Sequence, residues 1–198
     1  FFASSSSVYG DSTDLPSKET SNTDRPISFY AATKKTNEVM AYAYSAIYKL
    51  PTTALRFFTV YGPYGRPDMS LYKFFDNIIK GKSIDVFNHG KHERDFTYID
   101  DVVKILVKIK DTIPKGDTPY QCLNIANSKP IKIIDYIKLI SKVLKKNVKI
   151  KYLGLQKGDV KITYASNKVI KKKVGKFRPT KLEEGLKKYH QWFLKYYY

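Results

Sequence analysis

Residues 28–67 read SFYAATKKTNEVMAYAYSAIYKLPTTALRFFTVYGPYGRP, and this stretch decides the fold class. A helical pattern runs from Ser28 to about Lys49, with Phe29, Val39, Met40, Ala43 and Ile47 as its expected apolar positions. Pro51 stops it. Thr52 to Thr59 then reads as a strand, and YGPYGRP after it must be loop.

The same alternation continues outward. Phe1 to Ser4 reads as the end of a buried strand, and Ser5 to Ile27 as loop punctuated by Gly10, Pro16 and Pro26. Downstream, a short helix is expected from about Ser70 to Lys80, closed by Gly81, with a strand at Ile84–Phe87. Ile99 to Lys110 is an amphipathic helix whose Asp100 and Asp101 suit its positive N-terminal end. Cys122–Ile125 and Val148–Tyr152 read as strands, and Ile133, Ile134, Ile137, Ile140, Val143 and Leu144 make a helical stripe. Thr180 and Glu183 form a capping box that opens the last helix, where Trp192, Phe193 and Tyr196 read as packing residues. Strands alternating with helices indicate an α/β protein. A boundary is expected near Thr59–Pro67, dividing residues 1–66 from 67–198.

Composition narrows the function. With 198 residues, 42% of them hydrophobic, the chain can bury a sizeable core. One cysteine, Cys122, excludes a disulfide framework and a cysteine-built zinc site, and fits a reducing, cytoplasmic setting. No run of eighteen apolar residues exists to span a bilayer. The chain opens on a strand at Phe1 with no lead-in, which reads as a fragment whose targeting or anchor segment could have been lost. Of the net charge of +18, +16 falls in residues 129–198, which hold 20 Lys/Arg against 4 Asp/Glu. A basic third can signal nucleic acid. Here Lys outnumbers Arg 31 to 5, and nothing else reads bases, so solvated helix faces explain the charge better.

Tyr30 and Lys34, four apart, project from one face of the predicted helix. A phenol beside an ammonium ionises more readily and can serve as a general base toward a sugar hydroxyl. Spacing alone is weak evidence. Tyr164/Lys168 repeats it, and about three such pairs arise by random placement. What distinguishes Tyr30 is Ser4-Ser5-Ser6-Ser7 at a strand end, where open α/β sheets bind ligands.

The motifs SSSSVYG, SFYAATKKTNE, LPTTALRFFTVYGPYGRPDM and RDFTYIDD occur in order, with QKGDVKITYAS at 156–166. Together they resemble the extended short-chain dehydrogenase/reductase family acting on nucleotide sugars, with the UDP-glucuronate 4-epimerases nearest in pattern. The resemblance covers nearly the whole chain. It implies the C-terminal part of a Rossmann-type parallel sheet plus a smaller α/β substrate-binding region, with some later segments returning to the sheet. It also implies Tyr30 as base, Lys34 as its electrostatic partner, and Ser5 on the reacting hydroxyl. Ser6, Ser7 and Thr59 would line the sugar pocket. Arg66 and Arg94 would meet the UDP end, with Asp85, Val86 and Phe87 along the uracil and Asp159 near its ribose. NAD would be touched by Tyr30, Lys34 and Phe57. Arg94 could instead pair with Asp95 or Asp100.

The activity implied is C4 epimerisation of UDP-glucuronate to UDP-galacturonate through a transient 4-keto sugar. UDP-glucose 4-epimerase, dehydratase and decarboxylase remain alternatives. Elimination needs a proton acceptor at C5, and the serines after Ser5 are poor ones. The family's glycine-rich phosphate loop and ribose-binding acid are missing, so this chain should not hold NAD or act alone. Ser166 stands where the pattern has Asp, leaving the next helix differently capped. Intact, a homodimer through the helix bearing Tyr30 is implied.

Overall fold

The computed structural model describes residues 1–156, 158–175 and 177–198. Lys157, inside the quoted stretch 156–166, lies outside the described residues. In chain order the elements begin with β1 (Phe2–Ser5), a 3-10 turn (Ser6–Tyr9), α1 (Phe29–Tyr48), β2 (Thr52–Phe57) and β3 (Thr59–Tyr61). Next come α2 (Ser70–Ile79), β4 (Ser83–Val86), β5 (Glu93–Tyr98), α3 (Ile99–Ile109), β6 (Tyr120–Ile125) and β7 (Pro130–Lys132). The chain finishes with α4 (Ile133–Leu144), β8 (Lys149–Tyr152), α5 (Lys168–Val174) and α6 (Leu182–Tyr197). No helix is long and apolar enough to cross a membrane among the described residues.

The first sheet is parallel, in the order β1-β2-β6. Its register sets Ser5, Phe57 and Ile125 side by side at the carboxyl ends of the strands. One face of this sheet is apolar: Leu55, Leu123 and Ile125 pack with Val102, Ile105 and Ile109 of α3 and with Ile170 of α5. A second sheet runs β3-β5-β7, with β5 parallel to β3 and antiparallel to β7. β4 and β8 form a third, parallel pair. Around these two sheets α2, α4 and α6 close a large aromatic core that includes Phe75, Phe96, Tyr136, Tyr189 and Phe193. Gly185 in α6 lets the helix lie against Tyr61, where a Cβ would collide with the phenol.

The α/β class stands, and several local readings change. Helix α1 occupies the expected span, capped by Ser28, whose hydroxyl accepts the Ala31 amide at 3.1 Å. Its sheet-facing side is not the expected one. Phe29, Val39, Met40, Ala43 and Ile47 are all exposed, while Ala31, Glu38 and Ser45 are buried. The reason is a charged partner on the sheet, described below. The strand expected over Thr52–Thr59 breaks at Phe58, because the chain there leaves the first sheet for the second. β5 escaped the pattern because Glu93, Arg94 and Asp95 interrupt its apolar run. Ser5 ends β1 rather than opening a loop. The capping box at Thr180 does not form: Lys181 is the N-cap and makes no side-chain cap bond. Thr180 instead gives its amide (2.6 Å) and hydroxyl (3.0 Å) to the buried carboxylate of Asp101. Asn167 precedes α5, also without a side-chain cap bond.

Candidate active site

Two cavities meet where the chain passes between sheets, sharing Thr59, Met69, Ser70 and Phe96 in their walls. The first, about 720 Å³, sits at the carboxyl edge of the first sheet. Ser5, Ser6, Ser7, Tyr30, Lys34, Phe57, Thr59 and Arg66 all line it. The second, about 560 Å³, is lined by Thr59, Asp85, Val86, Phe87, Arg94 and Asp159. Every site residue that the resemblance implies therefore stands on one of two adjoining walls.

Helix geometry explains the first cavity. Tyr30 and Lys34 lie one turn apart at the start of α1, and the Lys34 Nζ stands 5.8 Å from the centroid of the Tyr30 ring. Nζ donates to the Ala3 carbonyl at 2.9 Å, so the ammonium is tied to β1 two residues before Ser5. Tyr30 is about half exposed, its ring free to meet a ligand. Ser5 Oγ accepts the Ser7 amide and donates to Ser7 Oγ, each at 3.1 Å, which holds the serine turn at the cavity wall. Tyr164, the control for the same spacing, precedes the helix that Lys168 opens, so that pair does not share a helix face.

Arg66 rides on the loop after β3, where Gly62 has φ +143. It forks onto Asp68 at 2.6 and 3.0 Å on the exposed surface, a pairing that contributes little to stability and leaves the guanidinium available. Arg94 does not pair with Asp95 or Asp100. It donates to Asp159 at 2.6 Å and to the carbonyls of Glu93 and Lys161 at 2.9 and 3.2 Å. Asp95 is buried instead beneath the amides of Ser128 and Ala165, and burial pushes its carboxyl up to about 6.

Sequence reasoning missed three participants. His92, two residues before Arg94, lines the second cavity with Nδ1 3.5 Å from Asp159, and burial lowers its pKa. Glu38 and Arg56 form a buried ion pair at 2.8 Å behind the first cavity. A carboxylate midway along a helix and an arginine between Leu55 and Phe57 of β2, each at odds with its pattern, were the available signal.

For a cofactor, the donor set at the sheet edge comprises a phenol, an ammonium and the Phe57 ring, which suits a nicotinamide and its ribose. The sequence has no Gly-x-Gly turn to cradle a dinucleotide's phosphates. No group of three or more His, Cys, Asp or Glu residues could hold a metal among the described residues.

A family model described as "NAD dependent epimerase/dehydratase family" matches residues 1–126. Protein CapI of Staphylococcus aureus is 44% identical over 99% of this chain and 63% of its own length. UDP-glucuronate 4-epimerase 4 of Arabidopsis thaliana is 43% identical over 99% of this chain and 48% of its own length. The crystal structure of UDP-glucuronic acid 4-epimerase from Bacillus cereus, in complex with UDP-glucuronic acid and NAD, superposes with a TM-score of 0.90. It is 30% identical and covers 98% of this chain and 61% of that one. The chain thus spans about half to two thirds of the length of these relatives.

Proposed function

Because the chain belongs to the NAD-dependent epimerase/dehydratase family, we propose that it supplies the proton-transfer residues and nucleotide pocket of a UDP-sugar 4-epimerase. The substrate we assign is UDP-glucuronate and the product UDP-galacturonate. The observation that carries this reading is the adjoining pair of cavities, one bearing Tyr30, Lys34 and Ser5 and the other Arg94 and Asp159.

Each residue's part follows from chemistry. Bound NAD would supply the hydride acceptor and donor for C4. Tyr30 takes the proton of the C4 hydroxyl on its phenolic oxygen and gives it back, while Lys34 stabilises the phenolate and meets the nicotinamide ribose. Phe57, in the wall of the same cavity, would help hold the nicotinamide end of the cofactor. Ser5 hydrogen-bonds the reacting hydroxyl. Ser6, Ser7 and Thr59 hold the sugar, with small hydroxyls suited to a carboxylate. Arg94 grips a phosphate and Arg66 swings from Asp68 to the diphosphate, since a guanidinium forks onto such oxyanions. Asp85, Val86 and Phe87 flank the uracil, and Asp159 meets the ribose. The remaining length of the relatives would provide the phosphate cradle for NAD, so this chain by itself is inactive.

In the same reading, residues 1–66 form the catalytic edge of the NAD-binding domain and 67–198 mainly the substrate region, with β6 rejoining the first sheet. The exposed aromatic and aliphatic face of α1 would pair two subunits. The protein would work in the cytoplasm, where the free Cys122 thiol, pushed up to about 12 by burial, stays inert. The test is incubation of the intact, NAD-loaded polypeptide with UDP-glucuronate. Appearance of UDP-galacturonate supports the assignment, and turnover of UDP-glucose alone would move it to the neighbouring specificity.

A further inference from the structure

Glu38 and Arg56 are about 95% buried, and Glu38 is bonded to Ser4, which lines the first cavity. Oε1 of Glu38 accepts from Ser4 Oγ at 2.5 Å and from Arg56 Nε at 2.9 Å, and Oε2 accepts from Arg56 Nη2 at 2.8 Å. Arg56 Nη1 donates to the Glu19 carbonyl at 3.2 Å, and the guanidinium stands 4.7 Å from the centroid of the Tyr9 ring. Burial works against the Glu38 charge, but the bonds from Arg56 and Ser4 outweigh it and hold the carboxyl below its usual range. One fork thereby ties α1 to β1, β2 and the loop that follows β1.

We infer that Glu38, clamped by Arg56 and Ser4, is a positioning residue that sets how α1 sits on the sheet and so where Tyr30 and Lys34 stand against Ser5. The inference rests on the 4-epimerase reading above. Its placement supports it: Glu38 lies one turn beyond Lys34 on the same helix face, and Ser4 lies between Ala3, whose carbonyl holds Lys34, and Ser5. The rest of α1's buried face is Ala31 and Ser45, small side chains that offer little to stop the helix sliding. A well-packed apolar pair would stabilise the core equally or better, so stability does not explain the charges. A bidentate fork, in contrast, has one geometry.

The test uses the intact, NAD-loaded polypeptide, with kcat expressed per UDP-binding site so that misfolded molecules drop out. Ser4→Ala is expected to lower kcat about tenfold with KM for UDP-glucuronate unchanged, because the UDP end is held elsewhere. Ser4→Thr keeps the hydroxyl and should restore the rate. The double variant Glu38→Met/Arg56→Met is expected to melt within a few degrees of wild type yet lose about 100-fold in kcat. If that variant does not fold, the Ser4 pair decides. Wild-type kcat per site in Ser4→Ala, a loss confined to KM, or no rescue by Ser4→Thr overturns the positioning role. A wild-type protein that binds UDP but epimerises nothing brings down the reading beneath it as well.

Discussion

The two sides of this molecule are built on opposite principles. Around the second sheet, α2, α4 and α6 close a core of stacked and edge-on rings, with Phe96 on Tyr136 at 4.1 Å and Phe75 against Tyr189 at 4.9 Å. Around the first sheet, α1 turns Phe29, Val39, Met40, Tyr42, Tyr44, Ile47 and Tyr48 outward and buries a carboxylate. The first arrangement derives its stability from apolar burial. The second gives up apolar burial on one helix and gains a fixed geometry beneath the cavity that holds Tyr30. Positioning is thus concentrated on the α1 face of the first sheet, while the opposite face of that sheet packs apolar residues against α3 and α5.

The contrast sets the sizes of the expected effects. Phe193→Ala, at a fully buried ring touching Tyr72, Phe75 and Tyr189, should destabilise by about 4 kcal/mol in denaturant melts. A loss below about 1 kcal/mol would mean that core is not what holds the second sheet and its helices together. Tyr30→Phe should do the reverse, leaving the melt unchanged and lowering epimerisation in the intact polypeptide about 10³-fold. Arg94→Ala should weaken UDP binding about 30-fold by calorimetry, since it removes a charged donor and leaves Asp159 without its guanidinium.

Asp95 gives a pH signature to the same side. Its native carboxyl, raised to about 6, takes up a proton before the unfolded chain does. The burial penalty on its charged form is present above pH 6 and relieved below it. Its contribution to stability therefore rises as pH falls from about 7 toward the ordinary carboxylate range near 4. Asp95→Asn should flatten that part of the stability–pH curve, and an unchanged slope would rule the assignment out. The smallest effect belongs to the exposed face of α1: Met40→Ser should alter the stability of this chain by less than about 0.5 kcal/mol.

The sequence made the aromatic side legible and half of the other. α2, α3, α4 and α6 follow their apolar stripes, because each buries one face against a sheet. The extent of α1 was equally legible, but its orientation was not. The stripe through Val39, Met40 and Ile47 faces outward, because Glu38 meets Arg56 from another element, a pairing that periodicity does not encode. β5 hid behind Glu93, Arg94 and Asp95, and the charges of Arg94 and Asp95 find their partners only in three dimensions. At the site, the Ser5, Tyr30 and Lys34 spacing was visible in the chain. The partnership of His92 with Asp159 was not, since 67 positions separate them.

The central claim is reversible oxidation at C4 of the sugar, with Tyr30 moving the proton of the C4 hydroxyl while the hydride leaves and returns to the same carbon. The direct measurement is a turnover of UDP-glucuronate deuterated at C4, in the intact NAD-loaded polypeptide, read by NMR. The account predicts UDP-galacturonate that keeps its deuterium at C4 in ordinary water, takes up none at C5 when the unlabelled substrate is turned over in heavy water, and fails to form with Tyr30→Phe. Loss of the C4 label to solvent, solvent deuterium at C5, or an undiminished rate in Tyr30→Phe would contradict it.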